Sequence, residues 1–281
     1  MNRSAPRSPA RRAAARFRRE DGETTLFAHR GARVELPENT LESFGRALEV
    51  GADALETDVQ LTADGKVVIF HDDLATRIVG RPRAIALCAH REVATWDVGY
   101  VFVGPGDQRD RPLVGRGFRA PLLAEALRAF PEAPFNVDLK PRSKALVQAT
   151  VSLLHDLGVS DRVLLTSFHA SNVRLARALG YRGPTGSGTA EVAGLLARPA
   201  SSLRSSAHAG DAVQIPYRAA GFSLPVKQIL ARCRAIDARL DVFTVNDPAL
   251  ARAFAATGVD GLMTDDPRAI ARALGRASIA T

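Results

Sequence analysis

From residue 24 onward the chain alternates short apolar runs with amphipathic stretches of helical period, a rhythm that few folds can satisfy. The spacing predicts strands at 24–29, 53–59, 135–140, 162–168, 183–188, 212–217, 241–246 and 259–265. The fifth is weak, because glycines disfavour a strand interior. Most are followed by a helical pattern that stops at glycine, as in ENTLESFGRALEVG, where Asn39 or Thr40 is a candidate N-cap and Gly51 the stop. Eight strand-then-helix units predict a (β/α)8 barrel, with an open doubly wound sheet as the competing arrangement. At 281 residues and 46% hydrophobic, the chain can bury a core of that size.

One segment breaks the rhythm. Residues 73–118 hold one expected helix, about 85–96, followed by the Gly-, Pro- and Arg-rich run GYVFVGPGDQRDRPLVGRGF. This reads as a small inserted subdomain that leaves the end of the second strand unit and lies over the face where barrel active sites are built.

Charge is concentrated at the start of the chain. Residues 1–19 carry seven Arg and no acid, which accounts for seven of the eight net positive charges. The predicted organisation is a disordered basic arm over 1–23, a barrel over 24–275 and a short tail over 276–281. The arm offers a weak membrane-surface contact, and the near-neutral body gives no reason to expect a specific nucleic-acid partner. No apolar run reaches the ~18 residues of a membrane span, and the arm lacks a signal-peptide apolar stretch. Cys88 and Cys233 show no metal-type or disulfide spacing, so a reducing, cytoplasmic location is expected.

Polar residues gather at the predicted strand ends. The first strand ends in His29-Arg30-Gly31, the second carries Glu56 and Asp58 on one face, and in the third Asn136, Asp138 and Lys140 alternate with apolar neighbours. Asp64-Gly65 is a favoured pair for a two-residue hairpin turn; that register sets Asp58 directly opposite His71. Three carboxylates in a barrel mouth repel one another unless a cation joins them, and an oxygen-only set favours Mg²⁺ or Ca²⁺. Arg30 and Lys140 nearby suit an anionic substrate such as a phosphate ester, while two histidines supply an acid and a base.

The ordered series HRG (29–31), PENT (37–40), GADALETDVQLTADG (51–65), HD (71–72), DLK (138–140), SF (167–168), FTVND (243–247) and GVDGLMTD (258–265) resembles the glycerophosphodiester phosphodiesterase family. The resemblance implies a TIM barrel with an insertion after the HD pair. It also implies metal-dependent hydrolysis of glycerophosphodiesters to sn-glycerol 3-phosphate and an alcohol. By position, His29 and His71 match the catalytic pair and Glu56 and Asp58 the metal ligands; Asp138 stands where the family usually has Glu. Arg30 and Lys140 match phosphate contacts. Phe168 and Phe243 are candidate pocket walls, Phe243 standing where the family usually has Trp. Two other readings are a phospholipase D-like enzyme that forms a cyclic phosphate from lysophospholipids, and an inactive barrel that binds nucleic acid or anionic membrane through its arm.

Overall fold

The computed structural model describes residues 14–17, 19, 23–104, 110–199, 202, 203, 210–219 and 221–276. Among the described residues ten strands form: β1 Thr25–His29, β2 Ala54–Leu61, β3 Val67–Ile69, β4 Phe135–Leu139, β5 Val163–Thr166, β6 Ala212–Pro216, β7 Arg218–Ala219, β8 Phe222–Ser223, β9 Arg239–Phe243 and β10 Gly261–Thr264. Seven of them pair in parallel in the order β5-β4-β2-β1-β10-β9-β6.

The predicted fifth strand is reduced to two parallel bridges, Leu165 to Thr185 and Gly186 to Ala212, and these close the ring. Glycine is what lets the backbone squeeze in here: a Cβ at Gly186 would press on the Thr166 side chain. The fold is thus an α/β barrel in which one of eight parallel positions is filled by a bridging segment.

Helices follow the strands because their apolar stripes need cover. In Leu41–Glu49, Phe44 and Ala47 are buried, and the Thr40 hydroxyl caps the helix by accepting from the Ser43 N–H at 3.2 Å. Asp247 and Asp266 cap Pro248–Ala256 and Pro267–Ala273 in the same way, each with proline at the start, where its missing N–H costs nothing.

Beneath the strands, Phe27, Ala54, Leu164, Ala212 and Met263 pack inside the barrel with Phe17. Phe17 belongs to a 3₁₀ turn, Ala14–Phe17, within the segment expected to be a mobile arm. Its carbonyl accepts from Arg239 Nη1 at 2.6 Å and from the Thr25 hydroxyl. Arg239 is buried, pairs with Asp241 at 2.7 Å and lies over the rings of Phe17 and Phe27. At the same end, Asp53 binds Arg19 at 2.7 Å and Arg276 at 2.6 Å. The remainder of the expected arm, residues 1–13, 18 and 20–22, lies outside the described residues, as do 277–281 of the expected tail.

Within the 73–118 stretch, Ile78, Ile85, Val93 and Trp96 pack in one apolar cluster with Val68 of β3 and Phe70 just beyond it. The single helix expected over 85–96 is instead a 3₁₀ turn, Ile85–Leu87, and a short helix, His90–Val93. The hairpin turn takes the backbone groups a continuous helix would use: Ala63 N–H donates to Cys88 O at 2.9 Å, and His90 N–H to Asp64 Oδ1 at 2.9 Å. No helix among the described residues is long and apolar enough to cross a membrane.

Candidate active site

Parallel pairing sets the reactive residues side by side. His29 is in register with Glu56, and Asp58 with Asp138, so the C-terminal ends of β1, β2 and β4 present their polar faces together. His29, Arg30, Glu56, His71, Asp138, Lys140, Phe168 and Phe243 all line one cavity of about 620 Å³. Asp58 lies just beneath it, fully buried.

The hairpin register differs from expectation by one residue. Val59 pairs with Ile69, and Phe70 N–H bonds to Asp58 O at 2.9 Å, so Phe70 rather than His71 stands opposite Asp58. The Thr62 hydroxyl accepts from Lys66 N–H at 2.9 Å and donates to Asp64 Oδ1 at 2.6 Å, which holds a three-residue loop with Gly65 at φ 76°. Such a loop is a type I turn with a bulge, and it adds one residue to the two-residue turn. His71 nevertheless returns to the cavity, close enough for the Asp58 charge to act on it.

Each histidine is held at Nδ1 by its own carboxylate. His29 Nδ1 donates to Asp265 Oδ1 at 2.6 Å, and Asn246 Nδ2 fixes the other Asp265 oxygen at 2.8 Å. His71 Nδ1 donates to Asp72 Oδ1 at 2.5 Å. Both rings therefore have Nε2 outside these hydrogen bonds, that of His29 lying 3.9 Å from Glu56 Oε2. Their environments diverge. Burial lowers the His29 pKa, but Glu56 and Asp265 outweigh it, and the net shift is upward. His71 is pushed down, chiefly by burial and secondarily by Arg30 and Lys140, against the pull of Asp58 and Asp72.

A chain of ion pairs joins the two histidines. Arg77 from the inserted segment binds Asp72 at 2.7 Å and Glu38 at 2.8 Å; Glu38 also binds Arg30 at 3.0 Å and Arg33 at 3.3 Å; Arg33 reaches Asp265 at 3.4 Å. Burial pushes the Glu38 carboxyl up, but Arg77 and Arg30 overcome this and hold it at about 2. None of Glu38, Arg33, Arg77, Asp72 or Asp265 was a predicted site residue. Asp265 could have been found by the logic that found Glu56, since it directly follows the last residue of β10. Arg77 carries no such signal.

Arg30 adopts φ 61°, a left-handed conformation uncommon for non-glycine residues, and its N–H bonds both the Glu56 carbonyl at 2.9 Å and Glu56 Oε2 at 3.1 Å. That turn aims the guanidinium at Glu38 and at Asp58, 3.2 Å away. Asn39 also donates to Asp58, at 3.1 Å. Lys140 bridges Asp58 at 2.9 Å and Asp138 at 2.7 Å. The Ser167 hydroxyl and the Asn172 amide both bond Leu139 O and so fix the strand end that carries Lys140.

The Lys140 ammonium thus occupies the bridge between Asp58 and Asp138 where a shared ion was expected. Among the described residues, no three His, Cys, Asp or Glu side chains form a ready-made metal cage. The donor chemistry still fits a hard cation, since all three carboxylates are buried oxygens. Glu56 is pushed up to about 7, first by burial and then by the Asp58 charge, and a cation would relieve that penalty.

Asp265→Asn tests the support of His29. Loss of the charge that orients the ring is expected to lower kcat about 10²-fold with little change in KM. Unchanged kcat alongside a lowered melting temperature would assign Asp265 to stability alone.

Comparison with known proteins gives a consistent grouping. Residues 29–269 match the model of the glycerophosphoryl diester phosphodiesterase family. The chain is 31% identical over 258 residues to a Mycobacterium tuberculosis protein named probable glycerophosphodiester phosphodiesterase 2, covering 89% of each chain. The fold is similar to that of a glycerophosphodiester phosphodiesterase from Agrobacterium tumefaciens, with TM-score 0.70 and 22% identity over 89% of this chain and 99% of that one. It is also similar to that of an Oleispira antarctica phosphodiesterase solved with the product sn-glycerol-3-phosphate, with TM-score 0.71 and 23% identity over 91% and 98% of the two chains.

Proposed function

Since the chain belongs to the glycerophosphoryl diester phosphodiesterase family, we propose that it hydrolyses glycerophosphodiesters to sn-glycerol 3-phosphate and the released alcohol. The observation that carries this reading is the pair of carboxylate-anchored histidines, shifted in opposite directions, on one cavity with Lys140. Groups whose environments push their pKa values apart divide naturally into acid and base.

His71, held neutral, takes the proton of the attacking hydroxyl on Nε2 as the new P–O bond forms. His29, whose pKa is shifted upward, gives its Nε2 proton to the alkoxide as the old P–O bond breaks. The two rings end with exchanged protonation states, and solvent resets them. Lys140 holds the phosphate as a point charge, and Arg30 adds those guanidinium donors not committed to Glu38 and Asp58. Glu56, Asp58 and Asp138 are the residues that would hold Mg²⁺ or Ca²⁺, with Lys140 turning from its carboxylates toward the phosphate. A divalent cation bound there supplies charge stabilisation to a phosphoryl oxygen.

The attacking hydroxyl is either water or the neighbouring glycerol hydroxyl, and the products separate the two. Incubation with glycerophosphocholine and glycerophosphoethanolamine, with Mg²⁺, Ca²⁺ or chelator, is expected to release sn-glycerol 3-phosphate only where a divalent ion is present. Accumulation of a cyclic phosphate assigns the attack to the glycerol hydroxyl. Absence of both products from every diester, with either ion, would sink the proposal.

A further inference from the structure

The carboxylates that hold the two histidines are themselves held differently. Behind Asp265, on the His29 side, stands the Asn246 amide at 2.8 Å, with Arg33 more distant at 3.4 Å. Behind Asp72, on the His71 side, stands a guanidinium supplied by the inserted segment. Arg77 Nε donates to Asp72 Oδ2 at 2.7 Å and Nη2 to Asp72 Oδ1 at 3.0 Å, a two-pronged grip that arginine can make and lysine cannot. The same guanidinium reaches the other way to Glu38, with Nη1 to Oε2 at 2.9 Å and Nη2 to Oε1 at 2.8 Å. Glu38 is buried and holds Arg30, which lines the cavity.

Local packing puts Arg77 in that place. It belongs to the short helix Thr76–Val79, in which Ile78 is buried in the apolar cluster beside Ala75. The helix ends at Gly80, φ 71°, where an added Cβ would lie 3.0 Å from the Tyr100 ring. Tyr100 belongs to the 3₁₀ turn Val98–Val101, so a later part of the inserted segment presses on the helix that carries Arg77. With Ile78 turned into the cluster, Arg77, one residue earlier, projects back toward the barrel, where Asp72 and Glu38 meet it.

We propose that Arg77 is a positioning residue for the base: it locks Asp72, and through Asp72 the His71 ring, in the orientation that presents Nε2 to the attacking hydroxyl. The inserted segment must then be folded for the base to work. This rests on the acid–base reading above. The competing role is a plain staple between the inserted segment and the barrel. The bonds to Glu38, 39 residues away in the chain, would serve a staple by themselves. Those to Asp72 would not, because Asp72 and Arg77 are only five residues apart and their pairing ties no distant parts together.

Arg77→Ala is expected to lower kcat about 10²-fold, the cost of a misplaced catalytic group, with a far smaller change in KM. Glu38 keeps Arg30 and Arg33 in that variant, so the phosphate side is left in place. Arg77→Lys guards against a loss of fold: it leaves a cation beside Glu38 but cannot grip both oxygens of Asp72. It is expected to melt near the native temperature while losing most of the rate. Guanidinium ion at millimolar concentration is expected to restore part of the rate of Arg77→Ala, since the Arg77 side chain is 42% exposed and its place can be refilled; sodium at equal ionic strength is not. In a double-mutant cycle, Arg77→Ala is expected to add little to the loss caused by Asp72→Asn, because both act on one ring. A last measurement needs no turnover. The His71 Nδ1 proton, assigned in the NMR spectrum by its absence from His71→Gln, is expected to move upfield and exchange faster with water in Arg77→Ala. Full kcat in Arg77→Ala, or losses that simply add in the cycle, would overturn the positioning role and leave the phosphodiesterase function standing. If the native protein cleaves no diester, that function fails and the Nδ1 proton decides alone: an unchanged resonance overturns the role of Arg77, and the expected change upholds it.

Discussion

Replacing His71 with alanine is expected to lower kcat by about 10² to 10⁴, the range of general acid–base catalysis, with a far smaller change in KM. His71 is expected to act as the base because burial holds its ring neutral and Asp72 directs Nδ1 away from the substrate. His29→Ala is expected to cost a similar factor on a natural diester, but the two variants should separate on a substrate whose leaving group needs no proton. With a nitrophenyl ester of glycerol phosphate, His29→Ala recovers most of the lost rate and His71→Ala does not. The opposite pattern would exchange the two assignments; near-native rates for both variants would remove the histidines from the chemistry.

The second large effect concerns Glu56, and activity and stability should move in opposite directions. In the fold its carboxyl is raised to about 7, whereas the unfolded chain ionises near ~4.3. A raised carboxyl makes folding less favourable as it ionises. Stability is therefore full below the unfolded value, falls as the pH climbs from ~4.3 to about 7, and remains reduced above. Glu56→Gln removes the ionisation. In chelator at pH 8 this variant is expected to melt at a higher temperature than the native protein, with the difference vanishing near pH 4. The same variant is expected to lose nearly all activity and the rise in melting temperature that Mg²⁺ or Ca²⁺ gives the native protein. A metal-induced shift of undiminished size in Glu56→Gln would place the ion elsewhere.

How far the sequence reveals this site depends on how local the determinants are. The polar faces of β2 and β4 were legible because strand side chains alternate with period 2, and Phe135, Val137 and Leu139 mark the face opposite Asn136, Asp138 and Lys140. The hairpin register differs from the expected one because Asp64-Gly65 suits both a two-residue and a three-residue turn. What decides is the Thr62 hydroxyl, which closes the longer loop. The fifth barrel position was half legible: glycines warned against a strand, but only the packing of Gly186 on Thr166 shows why the chain must be bare there. The Arg77–Glu38 pair lies 39 residues apart in the chain, and no period or spacing predicts a meeting of that kind. Alternation puts Asp138 and Lys140 on one face of β4, but the direct ion pair between them depends on side-chain conformation, which alternation does not specify.

The floor of the barrel bears on how the protein can be engineered. Asp53 clasps Arg19 and Arg276, and Phe17 seals the bottom over Arg239, so the two ends of the described chain are stapled together at the end remote from the cavity. Both described ends therefore meet at the N-terminal ends of the strands, opposite the strand ends that carry the cavity. Trimming from the front has a natural stopping point ahead of Phe17: removing Phe17 would uncover the buried Arg239 guanidinium, and removing Arg19 as well would leave Asp53 with Arg276.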